Sequence, residues 1–326
     1  MMPFRMNRRS FVAAGAASLL GVHQGAADEW PNRTIRLIVP FTPGGSNDIL
    51  ARVLANGLGA RLGQTVIVEN KGGAGGTIGT EYVAKSSPDG YTLLFASTSI
   101  TTNAASRETL PYDPIKDLQP IGEVGAGPFV VVVSNQLKVN SLREFIELAR
   151  DKPKSINYGT AGVGGINHLG TELFAEAAKI RLVHVPYRGI GPAFNDLMAG
   201  NLQMALPTLA SAAPHIHTGT MQGLAVTGTQ RSPLAPELPT MTEAGLPDFQ
   251  LEVWWGLLGP AGLPAPIVKR LNAELNAVLK LTDVQESLYR EGALGHPGTP
   301  EEFGNLIASE FVRWKELIRD AHIQTN

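Results

Sequence analysis

The chain has 326 residues, of which 43% are hydrophobic and 17% charged, so it can bury one large core or two smaller ones. It contains no cysteine, which excludes disulfides, a thiol nucleophile, cysteine-ligated zinc and a lipid-modified export cysteine. The formal net charge is -2 and no basic run occurs, so neither nucleic acid nor an anionic membrane surface is an expected partner.

The N-terminus has the layout of a signal peptide. Arg8 and Arg9 precede an uncharged, alanine-rich stretch, 11–22, and small residues follow up to Ala27. The stretch is about half the ~20 apolar residues that a spanning helix needs, which disfavours the alternative of a membrane anchor. The paired arginines resemble a twin-arginine export signal. We therefore predict a signal peptide over 1–27, removed near Ala27, and a periplasmic protein.

The first half of the remaining chain alternates between strand and helix patterns. A β-rich apolar run from Ile35 to Val39 stops at the turn 42–45, after which apolar residues recur every three or four positions. Ser46 is a suitable N-cap for this predicted helix. The pattern returns with a Gly-rich loop at 72–76, a helix and a strand at 91–96. Such alternation predicts a mostly parallel sheet with covering helices.

A very apolar run, Phe129 to Val133, predicts a buried strand at which the chain first crosses to a second lobe. Further alternating strands and helices follow it, and the segment 252–258 is the predicted return. Two amphipathic helices, about 265–279 and 300–321, then close the chain. The predicted lobes are 28–128 plus 251–326 for lobe 1 and 129–250 for lobe 2.

Two Gly-rich turns, 42–46 and 159–165, each lead from a predicted strand into a predicted helix. A turn of this kind places unpaired backbone N–H groups at the positive end of the helix dipole, where an anion binds well. Each turn alone is equally well explained by the tight bend that glycine permits. If the lobes face each other, both helix N-termini meet at one cleft, where open α/β sheets bind ligands. The pairing predicts a carboxylate site.

Several polar residues near these turns have two interpretations each. The Ser46 hydroxyl contacts the ligand or is used by its own helix, and Asp48 favours the helix dipole or holds a ligand ammonium. Ser97, Thr98 and Ser99 follow a strand end, where they contact a ligand through their hydroxyls or belong to an ordinary Ser/Thr-rich loop. His168 donates to an anion or packs in the core. Arg188 is the only basic residue near a predicted cleft loop, and it contacts the ligand or is solvated.

Catalytic motifs are missing from the sequence. It has no Gly-x-Ser-x-Gly, no Gly-x-x-x-x-Gly-Lys-Ser/Thr and no dinucleotide fingerprint with the correct spacing. His215 and His217 lack the third ligand of a metal site. We therefore expect no enzyme activity, no cofactor and no metal. A hydrolase that uses Ser46, Asp48 and His168 is the remaining enzyme alternative, which no local motif supports.

Ordered motifs along the chain resemble one protein family. They are Trp30-Pro31, Pro43-Gly44-Gly45-Ser46, Gly73-Ala74-Gly75-Gly76, Pro88-Asp89-Gly90-Tyr91, Tyr112-Asp113-Pro114, Val185-Pro186-Tyr187-Arg188-Gly189 and Trp255-Gly256. With these motifs the chain resembles the Bug family of periplasmic solute-binding proteins, the receptors of tripartite tricarboxylate transporters. The resemblance implies a type II periplasmic-binding fold with two α/β lobes that close on a carboxylate. It also implies that Ala74, Ser97 and Tyr187 complete a pocket built from the backbone amides of the two turns.

The function implied by this resemblance is a monomeric receptor that binds a mono- or dicarboxylic acid and hands it to a membrane permease. A co-receptor that docks on a sensor protein is the alternative. The family implies no single acid, and Phe41, Thr208 and Trp254 are the variable side chains expected to set specificity. The residues that we expect to bind the ligand are Phe41, Pro43, Gly44, Gly45, Ser46, Ala74, Ser97, Thr98, Thr160, Ala161, Gly164, Gly165, His168, Tyr187 and Thr208.

Overall fold

A computed structural model describes residues 30–320 except Asp248 and Glu291. The predicted signal peptide, 1–27, lies outside the described residues. Across the described part of the chain, no helix combines the length and the apolar character needed to cross a membrane.

The described chain forms two β-sheets covered by helices. The strands are β1 Ile35–Val39, β2 Val66–Asn70, β3 Thr92–Ser97, β4 Leu118–Pro128, β5 Val130–Val133, β6 Asn157–Thr160, β7 Val183–Pro186, β8 Met204–Ala205, β9 Gln222–Val226, β10 Glu252–Pro260 and β11 Leu294–Gly295. The helices are α1 Ser46–Leu62, α2 Thr77–Ala84, α3 Ser99–Ser106, α4 Leu142–Asp151, α5 Ile166–Ala177, α6 Ile190–Ala199, α7 Leu209–His217, α8 Ala265–Val278, α9 Thr282–Arg290 and α10 Pro300–Asp320.

Both sheets are mixed, which corrects the expectation that each is mostly parallel. The six-stranded sheet of lobe 1 has the order β11-β4-β10-β3-β1-β2, and only β1 with β2 and β1 with β3 are parallel pairs. The five-stranded sheet of lobe 2 has the order β7-β6-β8-β5-β9, in which β5 is antiparallel to both neighbours. Strand β4 leads the chain toward lobe 2 and β10 brings it back. Because these two strands run in opposite directions, their pairing in lobe 1 is antiparallel.

The two α/β lobes of the expected fold are confirmed. The chain passes between them at Phe129, directly after β4, and again just before β10. Thr227 links the two passages, because its hydroxyl accepts a hydrogen bond from the Phe129 N–H at 2.8 Å and donates one to the Leu251 carbonyl. The exact residue limits of the lobes, including the breaks after 128 and 250, stay a prediction.

Strand β1 is buried on both faces because helices cover both sides of its sheet. Ile35, Leu37 and Val39 pack in the same cluster as apolar residues of α1 and α8. Ile38 packs in a second cluster with residues of α2 and α10. A strand covered in this way needs apolar side chains at nearly every position, which explains why every residue of β1 except Arg36 is apolar.

Three helices were not expected from the sequence. Helix α3 follows β3, helix α7 follows β8, and helix α9 lies between the two helices that were predicted to close the chain. The C-terminus of lobe 1 therefore contains three helices, α8, α9 and α10. Helices α3 and α7 matter for the site, because each carries a hydroxyl residue that lines the cavity described next.

Candidate functional site

A cavity of about 40 Å³ lies between the two lobes. Its apolar wall is formed by Phe41, Phe129, Ala161, Ile166, Ile190 and Val253. Its polar wall is formed by Thr42, Gly45, Ser46, Asn47, Ser97, Ser99, Asn167, Thr208 and Ser211. None of these described lining residues carries a charge. Any charge on a ligand must therefore be met by hydroxyls, amides and helix N-termini.

Ser46 is the first residue of α1 and not its N-cap, which corrects the expectation from the sequence. The N-cap is Gly45, whose carbonyl accepts hydrogen bonds from the N–H groups of Asp48 and Ile49 at 2.9 and 3.1 Å. Gly45 already has the extended backbone that a cap requires, so the Ser46 side chain is not used by the helix. Its hydroxyl instead forms a hydrogen bond with Thr208 Oγ1 on the opposite lobe.

Helix α5 points its N-terminus at the same cavity. Its N-cap is Gly165, which gives the helix no side-chain cap. The N–H of Ile166 donates to Ser99 Oγ of lobe 1 at 3.2 Å. The Ser99 hydroxyl oxygen therefore occupies the position that an oxygen of a bound anion takes at a helix N-terminus. In this closed form, hydroxyls from each lobe contact the other lobe at both ends of the polar wall.

The amide of Asn47 has a defined orientation in the cavity. Trp255 Nε1 donates to Asn47 Oδ1 at 2.8 Å, and Asn47 Nδ2 donates to Ser97 Oγ at 3.3 Å. Thr42 Oγ1 is buried in the same region and has no hydrogen-bond partner among the described residues. Because an unpaired buried hydroxyl is unfavourable, Thr42 is a strong candidate to contact a ligand oxygen.

Asp48 supports the first loop through three hydrogen bonds. Its carboxylate accepts hydrogen bonds from Arg52 at 2.9 Å, from Asn70 Nδ2 at 3.0 Å and from the N–H of Gly44 at 3.3 Å. Burial alone would raise the pKa of Asp48, but these donors hold the pKa below its usual value. The ionised side chain thereby fixes the backbone that leads into α1.

Two stacked histidines support the second loop. The N–H of Gly164 donates to His168 Nδ1 at 3.2 Å, and Thr160 Oγ1 lies 2.6 Å from His184 Nε2. The two imidazole rings stack with their centroids 4.0 Å apart. Burial lowers the pKa of His168 to about 4 and that of His184 to about 3, where His168 adds to the effect. Both rings are therefore neutral at pH 7, and His168 is an acceptor for the loop.

We expect the folded protein to lose stability in acid through His168. Its pKa is about 4 when folded and about 6.5 when unfolded, so unfolding takes up a proton between these values. The contribution is fully present above pH 6.5 and is lost as the pH falls toward 4. Urea unfolding at a series of pH values measures it, with His168→Gln as the variant that cannot titrate. The free energy of unfolding should fall less steeply with acid in the variant; equal slopes would contradict the assignment.

Six of the residues expected to bind the ligand line the cavity. They are Phe41, Gly45, Ser46, Ser97, Ala161 and Thr208. They come from both lobes, as the pairing of the two loops predicts. That any of them binds a ligand stays a prediction, as does the role of the nine expected residues that lie outside the lining.

Those nine residues lie outside the cavity lining, and six of them form or hold the two loops. Pro43 and Gly44 lie in the first loop; Thr160, Gly164, Gly165 and His168 form or hold the second; Ala74, Thr98 and Tyr187 bond elsewhere. Ala74 O accepts from Arg107, Thr98 Oγ1 accepts from the Trp254 N–H, and Tyr187 OH donates to Asp196. The Trp254 ring packs edge-on against Phe303 in the core, and Arg188 is exposed.

The cavity also contains residues outside the set that we expected to bind the ligand. Thr42 begins the predicted first loop and Asn47 directly follows it, so their position in the sequence was a usable signal. Ser99 and Ser211 belong to α3 and α7, which the sequence pattern did not reveal. Ser211 donates to Thr208 O at 3.0 Å and so extends the row of hydroxyls that begins at Ser46.

Ser46, Asp48 and His168 do not form a catalytic triad. The Ser46 hydroxyl bonds to Thr208, the Asp48 carboxylate to Arg52 and Asn70, and His168 Nδ1 to the Gly164 N–H. No hydrogen bond between any two of the three occurs in the described structure. The geometry thus lacks the base and nucleophile contact that hydrolysis by this set requires.

Comparison with known proteins connects this architecture to a family. The sequence model of the "Tripartite tricarboxylate transporter family receptor" matches residues 50–323. BugT of Bordetella pertussis (strain Tohama I) is 37% identical over 297 residues, covering 90% of this chain and 91% of BugT.

Two solved structures from Rhodopseudomonas palustris share the fold closely. Rpa4515 with adipate is 34% identical, with a TM-score of 0.87, covering 90% of this chain and 99% of that chain. MatC with bound malate is 32% identical, with a TM-score of 0.84, covering 88% of this chain and 99% of that chain.

Proposed function

Since this chain belongs to the tripartite tricarboxylate transporter receptor family, which includes the Bug proteins, we propose that it is a periplasmic receptor for a small mono- or dicarboxylate. It is exported with the signal peptide 1–27 and binds its ligand as a monomer. The lobes close around the acid, and the closed receptor delivers it to a membrane permease without chemical turnover.

The observation that carries this proposal is the convergence of two helix N-termini on one uncharged cavity. The first turns of α1 and α5 both face the space between the lobes, and neither has a side-chain cap. Their N–H groups and the surrounding hydroxyls are donors that suit a carboxylate. The Phe41, Phe129 and Ile190 side chains offer an apolar surface for the rest of the molecule.

The related structures support a carboxylate over other anions. Rpa4515 holds adipate and MatC holds malate, and each of these acids carries two carboxylates on a short chain. Donors supplied by the backbone can bind a carboxylate without recognising the rest of the ligand. We therefore expect the apolar wall to decide which acid is preferred.

Thermal unfolding with matched ligands tests the proposal. Each acid is paired with its neutral amide, for example adipate with adipamide and benzoate with benzamide. An acid at a hundred times its Kd should stabilise the folded protein by about 2.7 kcal/mol and raise the Tm, whereas its amide should not. If amides or neutral sugars raise the Tm and no acid does, the carboxylate assignment is wrong.

Uptake in cells tests delivery to the permease. Deletion of the gene should abolish uptake of the labelled acid identified above, and the wild-type gene should restore it. If the deletion strain keeps full uptake but loses the transcriptional response to the acid, the partner of the receptor is a sensor protein and not a permease.

A further inference from the structure

Helix α3 presents a polar face to the second lobe. Ser99 and Asn103 are four residues apart and lie on one side of the helix, and Arg107 follows directly after its last residue. Ser99 Oγ already contacts the N–H of Ile166 across the cleft. We call these three residues the α3 face. It lies beside the cavity, and of the three only Ser99 lines it.

Arg107 connects the two lobes through a single nitrogen. Its Nη2 donates to the carbonyl of Ala74 at 3.0 Å and to the carbonyl of Val163 at 2.8 Å. Ala74 lies in a Gly-rich loop of lobe 1, and Val163 lies in the second anion-binding loop of lobe 2. A guanidinium keeps its charge at all relevant pH values, and its hydrogen bonds are stronger than those of neutral donors. Arg107 and Ala74 belong to the same lobe, so it is the bond to Val163 that requires the lobes to be together.

Asn103, close to Arg107, has a buried polar atom whose desolvation opposes lobe closure. Its Nδ2 donates to the carbonyls of Gly75 and Ser99, each at 2.7 Å. Its Oδ1 is buried and has no hydrogen-bond partner among the described residues. A Cβ on Gly164 would lie 2.8 Å from this oxygen, so the loop of lobe 2 covers it. Burying an unpaired acceptor opposes closure, and the bonds of Arg107 act in the opposite direction.

We propose that Arg107 is a latch that holds the lobes closed independently of the ligand. It is a positioning residue: it touches the carbonyls of both loops and lies outside the cavity lining. The latch stabilises the closed form in the empty receptor and slows ligand release in the loaded one. Its effect on affinity rests on the proposed function, but its effect on the empty receptor does not.

The distance between the lobes in the ligand-free protein tests the latch. The chain has no cysteine, so spin labels at Ala60→Cys in α1 and Glu147→Cys in α4 are unique, and both positions are exposed. Pulsed electron paramagnetic resonance on Arg107→Met should show a larger population at long interlobe distance than the wild type. The same variant should bind every acid about tenfold more weakly than the wild type does, mainly through faster dissociation. The factor should be the same for all acids.

Two further variants separate a latch from a general structural role. Arg181→Met removes an exposed arginine from lobe 2 and should leave the distances unchanged. Arg107→Lys keeps the charge but loses the planar fork, so it should give an intermediate distribution. The proposal is overturned if Arg107→Met and Arg107→Lys both show the wild-type distances. If the wild type binds no acid while the distances shift, the latch is supported and the proposed function fails.

Discussion

Gly75→Ala is expected to abolish ligand binding while leaving each lobe folded. A Cβ at this position would lie 2.4 Å from the carbonyl oxygen of Val163 on the other lobe and 3.0 Å from Asn103 Oδ1. Backbone cannot move aside as a flexible side chain can, so the lobes must stay apart. With the two anion-binding loops separated, we expect the affinity for the acid to fall at least about a hundredfold, or about 2.8 kcal/mol. Isothermal titration calorimetry measures this loss.

Gly63→Ala is a matched control for the backbone strain. Gly75 has φ 68° and ψ 18°, and Gly63 has φ 68° and ψ 20°, so alanine is equally disfavoured at both, by about 1–2 kcal/mol. A Cβ on Gly63 meets nothing within 4 Å. Both variants should therefore lower the Tm to a similar degree, and only Gly75→Ala should lose affinity. Wild-type affinity in Gly75→Ala would show that the ligand is bound without full closure.

The glycines at the contact between the two lobes allow the main chains to approach closely. A Cβ on Gly162 would lie 2.5 Å from the N of Gly75, and a Cβ on Gly189 would lie 2.9 Å from the N of Thr42. At these places the backbones of the two lobes touch directly. The Gly-rich loops thus permit two different things, an exposed helix N-terminus and a close approach of main chains across the cleft.

The alternation of strands and helices could be predicted because most elements carry a clear period. Strand β1 is apolar at every position except Arg36, and α4 begins at a serine N-cap that accepts a hydrogen bond from Glu144 N at 3.2 Å. The direction of strand pairing could not be predicted, since it depends on where β4 and β10 meet. Sequence spacing has no information about that long-range pairing.

Helices α3 and α7 could not be predicted because their local preferences oppose a helix. Six of the eight residues of α3 are serine, isoleucine, threonine or asparagine, which are weaker helix formers than alanine, and α7 contains Pro214. Burial stabilises α3, since Ile100, Thr101 and Thr102 are almost fully covered and the helix packs against α10. The hydroxyl of Ser211 was missed for this reason, and Ser99 was considered only for its position after a strand end.

The sequence located both loops correctly, but it did not show which of their side chains point into the cavity. Ser97 is the last residue of β3 and Thr208 follows β8, and side chains at strand ends reach a cleft between sheets. His168 lies in the first turn of α5 but turns toward His184 behind the loop. Which side of a loop faces inward depends on the packing partner behind it, here a stacked imidazole, and no pattern within the loop reveals that partner.

Ser46→Asp is expected to exclude an anionic ligand by placing a carboxylate in the cavity. Ser46 is only 4% exposed and begins α1, so the new charge is favoured by the helix dipole and stays ionised. A ligand carboxylate about 5 Å away would be repelled by about 3 kcal/mol at an effective dielectric constant of about 20. The affinity for the acid should therefore fall by about two orders of magnitude, which calorimetry measures.

Ser46→Asn separates charge from size in this experiment. Its side chain matches aspartate in volume but is neutral, so any loss that it shows reflects crowding next to Thr208. Thr282→Asp places the same charge in the first turn of α9, at an exposed position outside the cavity, and should bind as the wild type does. Because the repulsion arises inside a closed cavity, added salt should restore little of the affinity lost in Ser46→Asp. Equal affinities in the Asp and Asn variants would mean that the carboxylate binds away from the N-terminus of α1, and α5 alone would then hold it.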